Sequence, residues 1–314
     1  MKEIVVSNEA SNQRLDKFLA KYLNDAPKSF IYKMLRKKNI KLNGQKAQGS
    51  EILAVSDCIR IFMSDETLDK FCSVKGVEFF AGELNIVYED KHVLIINKPR
   101  GLLTHPSASS DRDTLLSRVL SHLHKNGEYD ISKESVFTPG LCNRLDRNTT
   151  GIVVCGKTLT ALQQLNKAIA ERKSEKYYTA AVVGEIISKG VLEGYHSKDQ
   201  KRNISSIKNS GDKLAITEYE PISVKNGYSL LKIKLVTGRS HQIRTHLAGI
   251  GHSILGDGKY GGAVKGAPRF QMLHAVSIRF FGLEGELDGL NGVVFTAEPA
   301  EDFLFYQEKL FGGV

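Results

Sequence analysis

The fold is decided at one polar turn, Asn143-Arg144-Leu145-Asp146-Arg147-Asn148-Thr149-Thr150-Gly151, which runs directly into the apolar stretch Ile152-Val153-Val154-Cys155. A carboxylate, two arginines and a closing glycine stand together just before a sequence typical of a buried strand. Side chains that carry out chemistry are often placed on loops held by such a rigid scaffold. We therefore predict that Asp146 is a catalytic residue.

Three familiar motifs overlap this turn. Residues 151–158 match the Walker A pattern letter for letter, but the variable positions of a phosphate-binding loop lie in a flexible turn, whereas Ile-Val-Val-Cys favours a strand. Residues 146–157 begin like a calcium-binding loop, but its twelfth position needs an acidic ligand and is Lys157. Residues 146–150 resemble the nucleophile loop of haloacid-dehalogenase-type phosphatases, which normally follows an apolar strand instead of preceding one. The phosphatase interpretation stays as an alternative that predicts magnesium-dependent phosphate release from small esters.

Positive charge is concentrated at the N-terminus. The 314 residues contain 44 Lys and Arg against 35 Asp and Glu, which gives a net charge of +9. Residues 1–50 contain eleven basic and four acidic residues, so +7 of the +9 lies in the first sixth of the chain. This asymmetry favours a nucleic-acid-binding arm over a merely solvated basic face.

Composition and cysteine spacing exclude several protein classes. The chain is 41% hydrophobic and 25% charged, which is typical of a globular protein. Its four cysteines match no zinc pattern and are too few for a disulfide framework, so we expect reduced thiols. The first residues lack a signal-peptide core, and no stretch approaches the roughly 18 apolar residues of a membrane span. We expect a soluble, cytoplasmic protein.

The basic N-terminal segment predicts two helices and a hairpin. Apolar residues recur at helical spacing in residues 12–23 and 29–38, and residues 40–46 alternate around Asn43-Gly44, a strong hairpin signal. This order resembles the alpha-L RNA-binding module of a small-subunit ribosomal protein and of many RNA-modifying enzymes, and we place such a domain at residues 1–65. The resemblance assigns RNA contacts to the basic residues towards the end of the second helix: Lys33, Arg36, Lys37 and Lys38.

The remaining chain predicts a linker and one larger domain. Residues 66–84 lose the basic bias and show no clean periodicity, so we place an interdomain linker there and the larger domain at residues 85–314. Apparent strands at residues 177–183, 215–220 and 228–236 do not alternate with helices as βαβ units do. We therefore predict an α+β fold with a mixed, mainly antiparallel sheet. Residues 237–251 predict a turn, a helix with Ile243, Leu247 and Ile250 on one side, and a glycine that ends it.

Four motifs in order resemble those of RluA-type pseudouridine synthases. The polar turn is similar to the family signature H-R-L-D-x-x-T-S-G, and residues 97–102 are similar to N-K-P-x-G-L. Residues 176–180 resemble K-x-Y-x-A, and residues 237–246 resemble T-G-R-x-H-Q-I-R-x-H. The chain departs from the signature at Asn143, where the family has histidine, and in Thr-Thr-Gly for T-S-G. Both replacements keep hydrogen-bonding groups, so we expect activity to be retained.

The resemblance implies the pseudouridine synthase fold and an isomerase that converts uridine to pseudouridine in structured RNA. Large-subunit ribosomal RNA is the expected substrate, and transfer RNA is the alternative. Breaking the C1′–N1 bond and joining C5 to C1′ requires no redox change and no group donor. We therefore expect no cofactor and no metal, and we expect a monomer that binds RNA and no membrane.

The resemblance also assigns roles to four residues. Asp146 falls on the catalytic aspartate, and Arg144 falls on the arginine that fills the place vacated by the flipped-out target base. Arg239 matches the arginine that pairs with the catalytic carboxylate, and Tyr178 matches the tyrosine that stacks on the target base. The carboxylate would act by removing the C2′ proton or by attacking the sugar or C6, and the sequence does not distinguish these routes.

Two further interpretations complete the prediction. An RNA-binding assembly factor without turnover is the alternative of a different class, and the joint retention of Asp146, Tyr178 and Arg239 speaks against it. Three histidines near the fourth motif could suggest a zinc site, but they lack acidic or thiol partners at zinc-ligand spacing. We therefore interpret them as hydrogen-bonding residues of a helix and a loop. They are His241, His246 and His252.

Overall fold

A computed structural model describes residues 1–7, 10–72, 80, 82–108, 110–129, 137–199 and 204–312. The chain divides into two compact units. The first unit consists of Met1–Ala81, Ser117–Gly140 and Gly156–Gln163, and the second unit consists of Gly82–Leu116, Leu141–Cys155 and Gln164–Val314. The first unit thus includes two segments beyond the N-terminal residues. Within the described ranges, every helix is too short or too polar to cross a membrane.

The N-terminal elements form the predicted module. They are, in chain order, β1 (Lys2–Val5), α1 (Leu15–Tyr22), α2 (Lys28–Arg36), β2 (Ile40–Leu42), β3 (Gln45–Lys46) and β4 (Cys58–Ile61). The four strands pair antiparallel in the order β1-β4-β2-β3. Asn43 and Gly44 join β2 to β3 with φ angles of 49° and 75°, as a two-residue hairpin turn requires. Both predicted helices and the predicted hairpin are confirmed.

The core of this module combines the apolar face of each helix with side chains of the sheet. Its buried members include Leu15, Phe18, Leu19, Ile31, Leu35, Ile40, Ile59 and Ile61. Burying one such side chain stabilises a fold by about 1.5–3 kcal/mol. Apolar residues on one face of each helix and on the sheet therefore give this short, strongly basic segment a core of its own.

A third helix, α3 (Asp65–Phe71), begins where the sequence predicted a linker. The Ser64 hydroxyl accepts a hydrogen bond from the Thr67 N–H at 3.3 Å and caps the helix. Leu68 is buried in the core of the module, and the ring of Phe71 lies 4.6 Å from that of Phe30. The predicted linker is thus wrong at its start, since residues 65–72 belong to the N-terminal module. Residues 73–79 and 81 lie outside the described residues.

The second unit is built on a large mixed sheet. Its strands are β5 (Ile86–Glu89), β6 (Val93–Lys98), β7 (Gly140–Leu141), β8 (Thr150–Gly156), β9 (Ser174–Val183), β10 (Gly190–Asp199), β11 (Ile204–Lys208), β12 (Leu214–Lys225), β13 (Tyr228–Leu235), β14 (Leu273–Phe280) and β15 (Val294–Thr296). The order is β11-β10-β12-β13-β9-β14-β8-β6-β5, with β15 on β14 and β7 on β8. β14 and β8 run parallel, whereas β9, β12 and β13 pair antiparallel with their neighbours. This confirms the predicted α+β fold with a mainly antiparallel sheet.

Between and after these strands, the described chain forms four α-helices and one 3-10 helix. They are α4 (Leu115–Lys125), α5 (Leu159–Ala170), α6 (Gln242–Gly249), α7 (Glu301–Phe311) and the 3-10 helix Gly285–Leu290. The predicted turn, helix and glycine stop of residues 237–251 are confirmed, because α6 ends at Gly249 and Gly251 follows with a φ of 82°. α6 is the helix that positions the site described below.

The parallel contact between β8 and β14 explains the glycine that closes the polar turn. Gly151 pairs with Ala275 and has a φ of 110°, a conformation that other residues rarely adopt. A Cβ atom added to Gly151 would collide with the Ala275 backbone carbonyl. The Ile-Val-Val-Cys stretch lies in the strand β8, and all seven residues of this strand are buried. The residues that match the Walker A pattern therefore do not form a phosphate-binding loop.

Candidate active site

Hydrogen bonds hold the backbone on both sides of Asp146. The Thr104 hydroxyl donates to the Leu145 carbonyl oxygen at 2.7 Å and accepts from the Leu145 N–H at 3.2 Å. On the other side, Lys98 Nζ donates to the Arg147 carbonyl oxygen at 3.0 Å. Because both chain neighbours of Asp146 are fixed to the segment at the end of β6 and beyond it, backbone contacts set the direction of its side chain.

Lys98 is fully buried, and carbonyl oxygens enclose its ammonium group. Besides Arg147, the Pro99 and Leu102 carbonyl oxygens accept from Nζ at 2.8 Å each. Burial lowers the pKa of Lys98 to about 7, an effect that the Asp146 charge opposes. The three acceptors use all three N–H groups of the ammonium form, so the protonated side chain is the one that fits this cage.

Asn143 anchors the polar turn to β8. Its Nδ2 donates to the Ile152 carbonyl oxygen at 3.0 Å, and its Oδ1 accepts from the Val154 N–H at 2.9 Å. A side-chain amide supplies one donor and one acceptor in a fixed geometry. The anchoring of the turn therefore needs no imidazole at this position.

The carboxylate of Asp146 is paired with Arg244 of α6. Arg244 Nη1 donates to Asp146 Oδ2 at 2.7 Å, while Nε and Nη2 donate to the two oxygens of Asp257 at 2.7 and 2.8 Å. Arg244 is 7% exposed and Asp257 is 1% exposed. Burial disfavours the charge of Arg244, but hydrogen bonds to Asp257 and the charges of both carboxylates outweigh it and raise the pKa of the guanidinium. Arg244 is thus a permanently charged group held by two anchors.

The sequence prediction assigned this pairing to Arg239, and that assignment is wrong. Arg239 lies in the turn before α6, and its Nε donates to the Leu214 carbonyl oxygen at 3.1 Å. Arg244 instead lies in the first turn of α6, which begins at Gln242, and its side chain is buried there. The helix therefore directs Arg244, and not Arg239, to the carboxylate. Arg239 still lines the same pocket as Asp146, so a contact with the substrate stays a prediction for it.

Asp146 opens onto a small pocket of about 60 Å³. Its lining residues are Arg144, Leu145, Asp146, Thr149, Tyr178, Leu235, Arg239, His241, Gln242, Ile243, Arg244 and Leu273. The structure thus brings together the four residues of the larger domain that the sequence predicted for the site, although they span almost a hundred positions.

Tyr178 lies on β9, in the interior of the sheet. It pairs with Ile233 on one side and with Ala275 on the other, and it is 6% exposed. Burial, together with the nearby Asp146 charge, raises the pKa of Tyr178 well above its usual value. The phenol therefore stays protonated at neutral pH, and its position in the sheet is fixed.

The two arginines that flank Asp146 have different surroundings. Arg144 is exposed at the pocket, where its charge adds to the effect of burial in lowering the pKa of His105. Arg147 Nε donates to the Gly101 carbonyl oxygen at 2.9 Å. Arg147, which had no role in the sequence prediction, thus holds the polar turn to the loop after β6.

A histidine and a tyrosine lie on the Oδ1 side of Asp146. His241 Nε2 is 3.8 Å from Asp146 Oδ1, and His241 Nδ1 is 2.7 Å from the Tyr260 hydroxyl oxygen. That hydroxyl oxygen also accepts from the Ser205 backbone N–H at 2.9 Å. Burial lowers the pKa of His241, and the Asp146 charge opposes this shift. The imidazole is therefore neutral at neutral pH.

All three histidines make the predicted kind of contact. His246 Nδ1 lies 2.8 Å from the Thr217 hydroxyl, and His252 Nδ1 lies 3.0 Å from the Val183 carbonyl oxygen. Their interpretation as hydrogen-bonding residues is confirmed. Among the residues that the structure describes, no cluster of three or more His, Cys, Asp or Glu side chains could hold a metal ion.

The predicted RNA-binding residues of the N-terminal module are exposed on α2 and just beyond its end. They are Lys33, Arg36, Lys37 and Lys38. Four exposed positive charges within six residues give this helix end the electrostatic character of a phosphate-binding surface. Their contact with RNA stays a prediction.

Sequence reasoning missed three residues of the site: Arg244, Asp257 and Tyr260. Arg244 is part of a motif that the sequence singled out, and the predicted helix at this position was the signal that could have identified its buried side. Asp257 and Tyr260 lie in a loop between α6 and β14 that no motif covered. Nothing in a single sequence indicates that this loop returns to the pocket.

Comparison with known proteins finds two matching family models and several relatives. A family model described as RNA pseudouridylate synthase matches residues 92–249, and an S4 domain model matches residues 13–59. An RNA pseudouridine synthase of Mycoplasma capricolum subsp. capricolum, named as uncharacterized, is 31% identical over 95% of this chain and 98% of its own. The ribosomal large subunit pseudouridine synthase D of Vibrio cholerae is 32% identical over 88% of this chain and 85% of its own.

Solved structures share the fold. Human RNA pseudouridylate synthase domain containing 4 superposes with a TM-score of 0.53 at 23% identity, covering 72% of this chain and 93% of its own. Human RNA pseudouridylate synthase domain containing 1 superposes with a TM-score of 0.51 at 22% identity, covering 73% of this chain and 96% of its own.

Proposed function

The chain belongs to the RNA pseudouridylate synthase family, and we propose that it converts particular uridines of large-subunit ribosomal RNA to pseudouridine with Asp146 as the catalytic residue. The reaction breaks the C1′–N1 bond, turns the uracil and joins C5 to C1′, while the C5 proton is lost and N1 gains a proton. Atoms and electrons balance without a co-reactant. The proposal therefore includes no cofactor.

The observation that carries the proposal is the environment of the Asp146 carboxylate. Oδ2 is paired with the buried, permanently charged Arg244, whereas Oδ1 faces the pocket. A carboxylate that is fixed through one oxygen can present the other to a substrate with little loss of orientation. This arrangement serves the removal of the C2′ proton and also attack on the sugar or on C6.

Three further residues receive proposed roles in binding the target nucleotide. Tyr178 would stack on the flipped-out uracil, because its ring lines the pocket and its position in the sheet is fixed. Arg144 would fill the place that the base leaves in the RNA, because it is an exposed cation at the pocket. Arg239, which is also at the pocket, would contact the RNA backbone instead of the carboxylate.

The N-terminal module supports RNA as the substrate. The S4 domain match covers α1, α2 and the hairpin, and the exposed cations Lys33, Arg36, Lys37 and Lys38 lie within the matched range. Ribosomal large subunit pseudouridine synthase D from Vibrio cholerae has the substrate in its name, and this supports large-subunit RNA over transfer RNA here. We propose that the enzyme acts as a monomer in the cytoplasm, with the N-terminal module positioning the RNA and the pocket choosing the uridine.

Pseudouridine mapping of cellular RNA tests the proposal. RNA from a strain that lacks the gene should lose one or more pseudouridines in large-subunit RNA, and the wild-type gene should restore them. Asp146→Asn keeps the shape of the side chain and removes its charge, so it should bind RNA but restore none of these sites.

Each other result supports a competing function. Loss of sites in transfer RNA would support the transfer RNA alternative. If no site disappears, or if Asp146→Asn restores the lost sites, the assigned chemistry is wrong, and an RNA-binding assembly factor is then the better description. Magnesium-dependent phosphate release from small esters would support the phosphatase interpretation.

A further inference from the structure

Beside Asp146, the structure places a donor and an acceptor that do not satisfy each other. His241 Nε2 and Asp146 Oδ1 are 3.8 Å apart, which is too far for a direct hydrogen bond. Oδ2 is already used by Arg244. Among the residues that the structure describes, His241 Nε2 has no other hydrogen-bond partner. Both groups line the pocket and are available to a ligand there.

The contact with Tyr260 favours one of the two neutral tautomers of His241. The Tyr260 hydroxyl oxygen accepts from the Ser205 backbone N–H at 2.9 Å, and donation of its own proton to His241 Nδ1 at 2.7 Å gives the hydroxyl both a donor and an acceptor partner. A neutral imidazole that accepts at Nδ1 carries its proton on Nε2. His241 therefore presents an N–H group beside Oδ1.

The backbone of His241 is held in an unusual conformation. Its φ and ψ angles are 55° and 19°, in the left-handed region that residues other than glycine rarely occupy. Conformations of this kind cost free energy and cluster at functional sites. The strain places the imidazole at the pocket immediately before α6 begins.

Given the proposed function, we propose that His241 and Asp146 together bind the 2′-hydroxyl of the target uridine. The His241 Nε2–H would donate to the hydroxyl oxygen, and the hydroxyl would donate to Asp146 Oδ1. A single oxygen can lie within hydrogen-bond distance of two atoms that are 3.8 Å apart.

The 2′-hydroxyl is the group of an internal uridine that fits a donor and an acceptor placed side by side. Within an RNA chain, O2 and O4 of uracil only accept, N3–H only donates, and the 3′ and 5′ oxygens are esterified. The 2′-hydroxyl is the one group of an internal uridine that both donates and accepts. Binding it would select ribonucleotides over deoxyribonucleotides and would bring C2′ beside the reactive carboxylate.

Two substitutions of His241 separate this role from a structural one. The amide nitrogen of His241→Gln can reach the position of Nε2, whereas the shorter side chain of His241→Asn reaches only the position of Nδ1. Asparagine also tolerates the left-handed backbone better than most residues. His241→Asn should therefore be as stable as the wild type, so that a change in its binding cannot be attributed to unfolding.

The measurement is affinity for a short synthetic RNA that contains the mapped uridine, compared with the same RNA carrying 2′-deoxyuridine at that one nucleotide. The wild type should bind the all-ribose RNA about tenfold more tightly, as expected for loss of a satisfied polar contact. His241→Asn should lose most of this preference, because only the hydrogen bond to Asp146 Oδ1 is left to the 2′-hydroxyl. His241→Gln should keep most of it, and Tyr260→Phe should reduce it because the tautomer is no longer fixed.

Two results would overturn the inference. One is a His241→Asn variant that keeps the full preference for ribose, and the other is a variant that weakens binding of both RNAs equally. Failure of the proposed function would be distinct, because the wild type would then form no pseudouridine in the all-ribose RNA.

Discussion

The pairing of Arg244 with Asp257 makes a sharp prediction for Asp257→Asn. Asp257 accepts two hydrogen bonds from Arg244 at 2.7 and 2.8 Å and is almost completely buried. Asparagine has the same shape but offers one acceptor oxygen, and its amide nitrogen would face a guanidinium N–H. The asparagine oxygen fits best in the place of Oδ1, where the Lys259 and Tyr260 backbone N–H groups also donate at 3.1 and 3.3 Å. The hydrogen bond from Arg244 Nε and the buried counter-charge are then lost, while Asp257 is not among the residues that line the pocket.

The structure sets the size of the expected effects. Removing one partner of a buried ion pair costs about 3–5 kcal/mol, and because asparagine keeps one hydrogen bond we expect a loss of about 2–4 kcal/mol in the free energy of unfolding. Arg244 would then turn, and Asp146 would turn with it. A displacement of about 1 Å at a reacting group lowers a rate on the order of 100-fold. Affinity for RNA should fall by no more than about tenfold, because the substituted residue does not reach the substrate and only the contact of Asp146 with the 2′-hydroxyl is disturbed.

The assay is a single-turnover measurement of pseudouridine formation under conditions in which the variant is folded, together with RNA affinity and urea unfolding. Asp212→Asn is the matched control, since it makes the same chemical change at an exposed position and should behave like the wild type. A folded Asp257→Asn enzyme with the wild-type rate would refute the reasoning. So would a variant whose RNA affinity falls while its rate is preserved.

Gly151→Ala should lower the free energy of unfolding by about 3 kcal/mol or more in urea titrations, because it adds left-handed strain to a collision with the Ala275 backbone, and a change below about 1 kcal/mol would contradict the close contact. Burial lowers the pKa of His246 from 6.5 to about 4, so between these values the unfolded chain binds a proton that the folded chain does not, and stability falls as the pH falls. The wild type should lose up to about 3 kcal/mol more than His246→Gln between pH 7 and pH 4 in unfolding experiments, and parallel curves would show that His246 is not responsible. Joint replacement of the four exposed cations by glutamine should weaken RNA binding and flatten the plot of log affinity against log salt by about 3 if each cation contacts one phosphate, and an unchanged slope would leave the N-terminal module without its assigned role. These cations are Lys33, Arg36, Lys37 and Lys38.

Local patterns were sufficient for the parts of the fold in which one segment determines its own structure. The spacing of apolar residues predicted α1, α2 and α6, and Asn43-Gly44 predicted the first hairpin. The run of β-branched residues after Gly151 predicted β8, and so excluded the Walker A interpretation. In each case the burial pattern and the backbone preference point to the same conformation.

The helix α3 is an element that local sequence patterns did not predict. It has seven residues and buries one of them, Leu68, which is too little to produce a visible periodicity. Its stability comes from tertiary contacts, including that of Phe71 with the ring of Phe30, some forty residues earlier. A short helix that is stabilised by residues distant in the sequence cannot be predicted from its own residues alone.

The sequence predicted several residues that line the site, but it did not predict the hydrogen bonds between them. The motif at residues 237–246 contains two arginines, and either one could pair with a carboxylate. The choice depends on where α6 begins, and helix boundaries are the least certain feature of a sequence prediction. Because α6 begins at Gln242, Arg244 is the buried one, and Asp257 from a later loop then fixes its direction. The identity of the arginine that pairs with Asp146 thus depends on where α6 begins and on the later loop that contains Asp257. The motif at residues 237–246 specifies neither of these features.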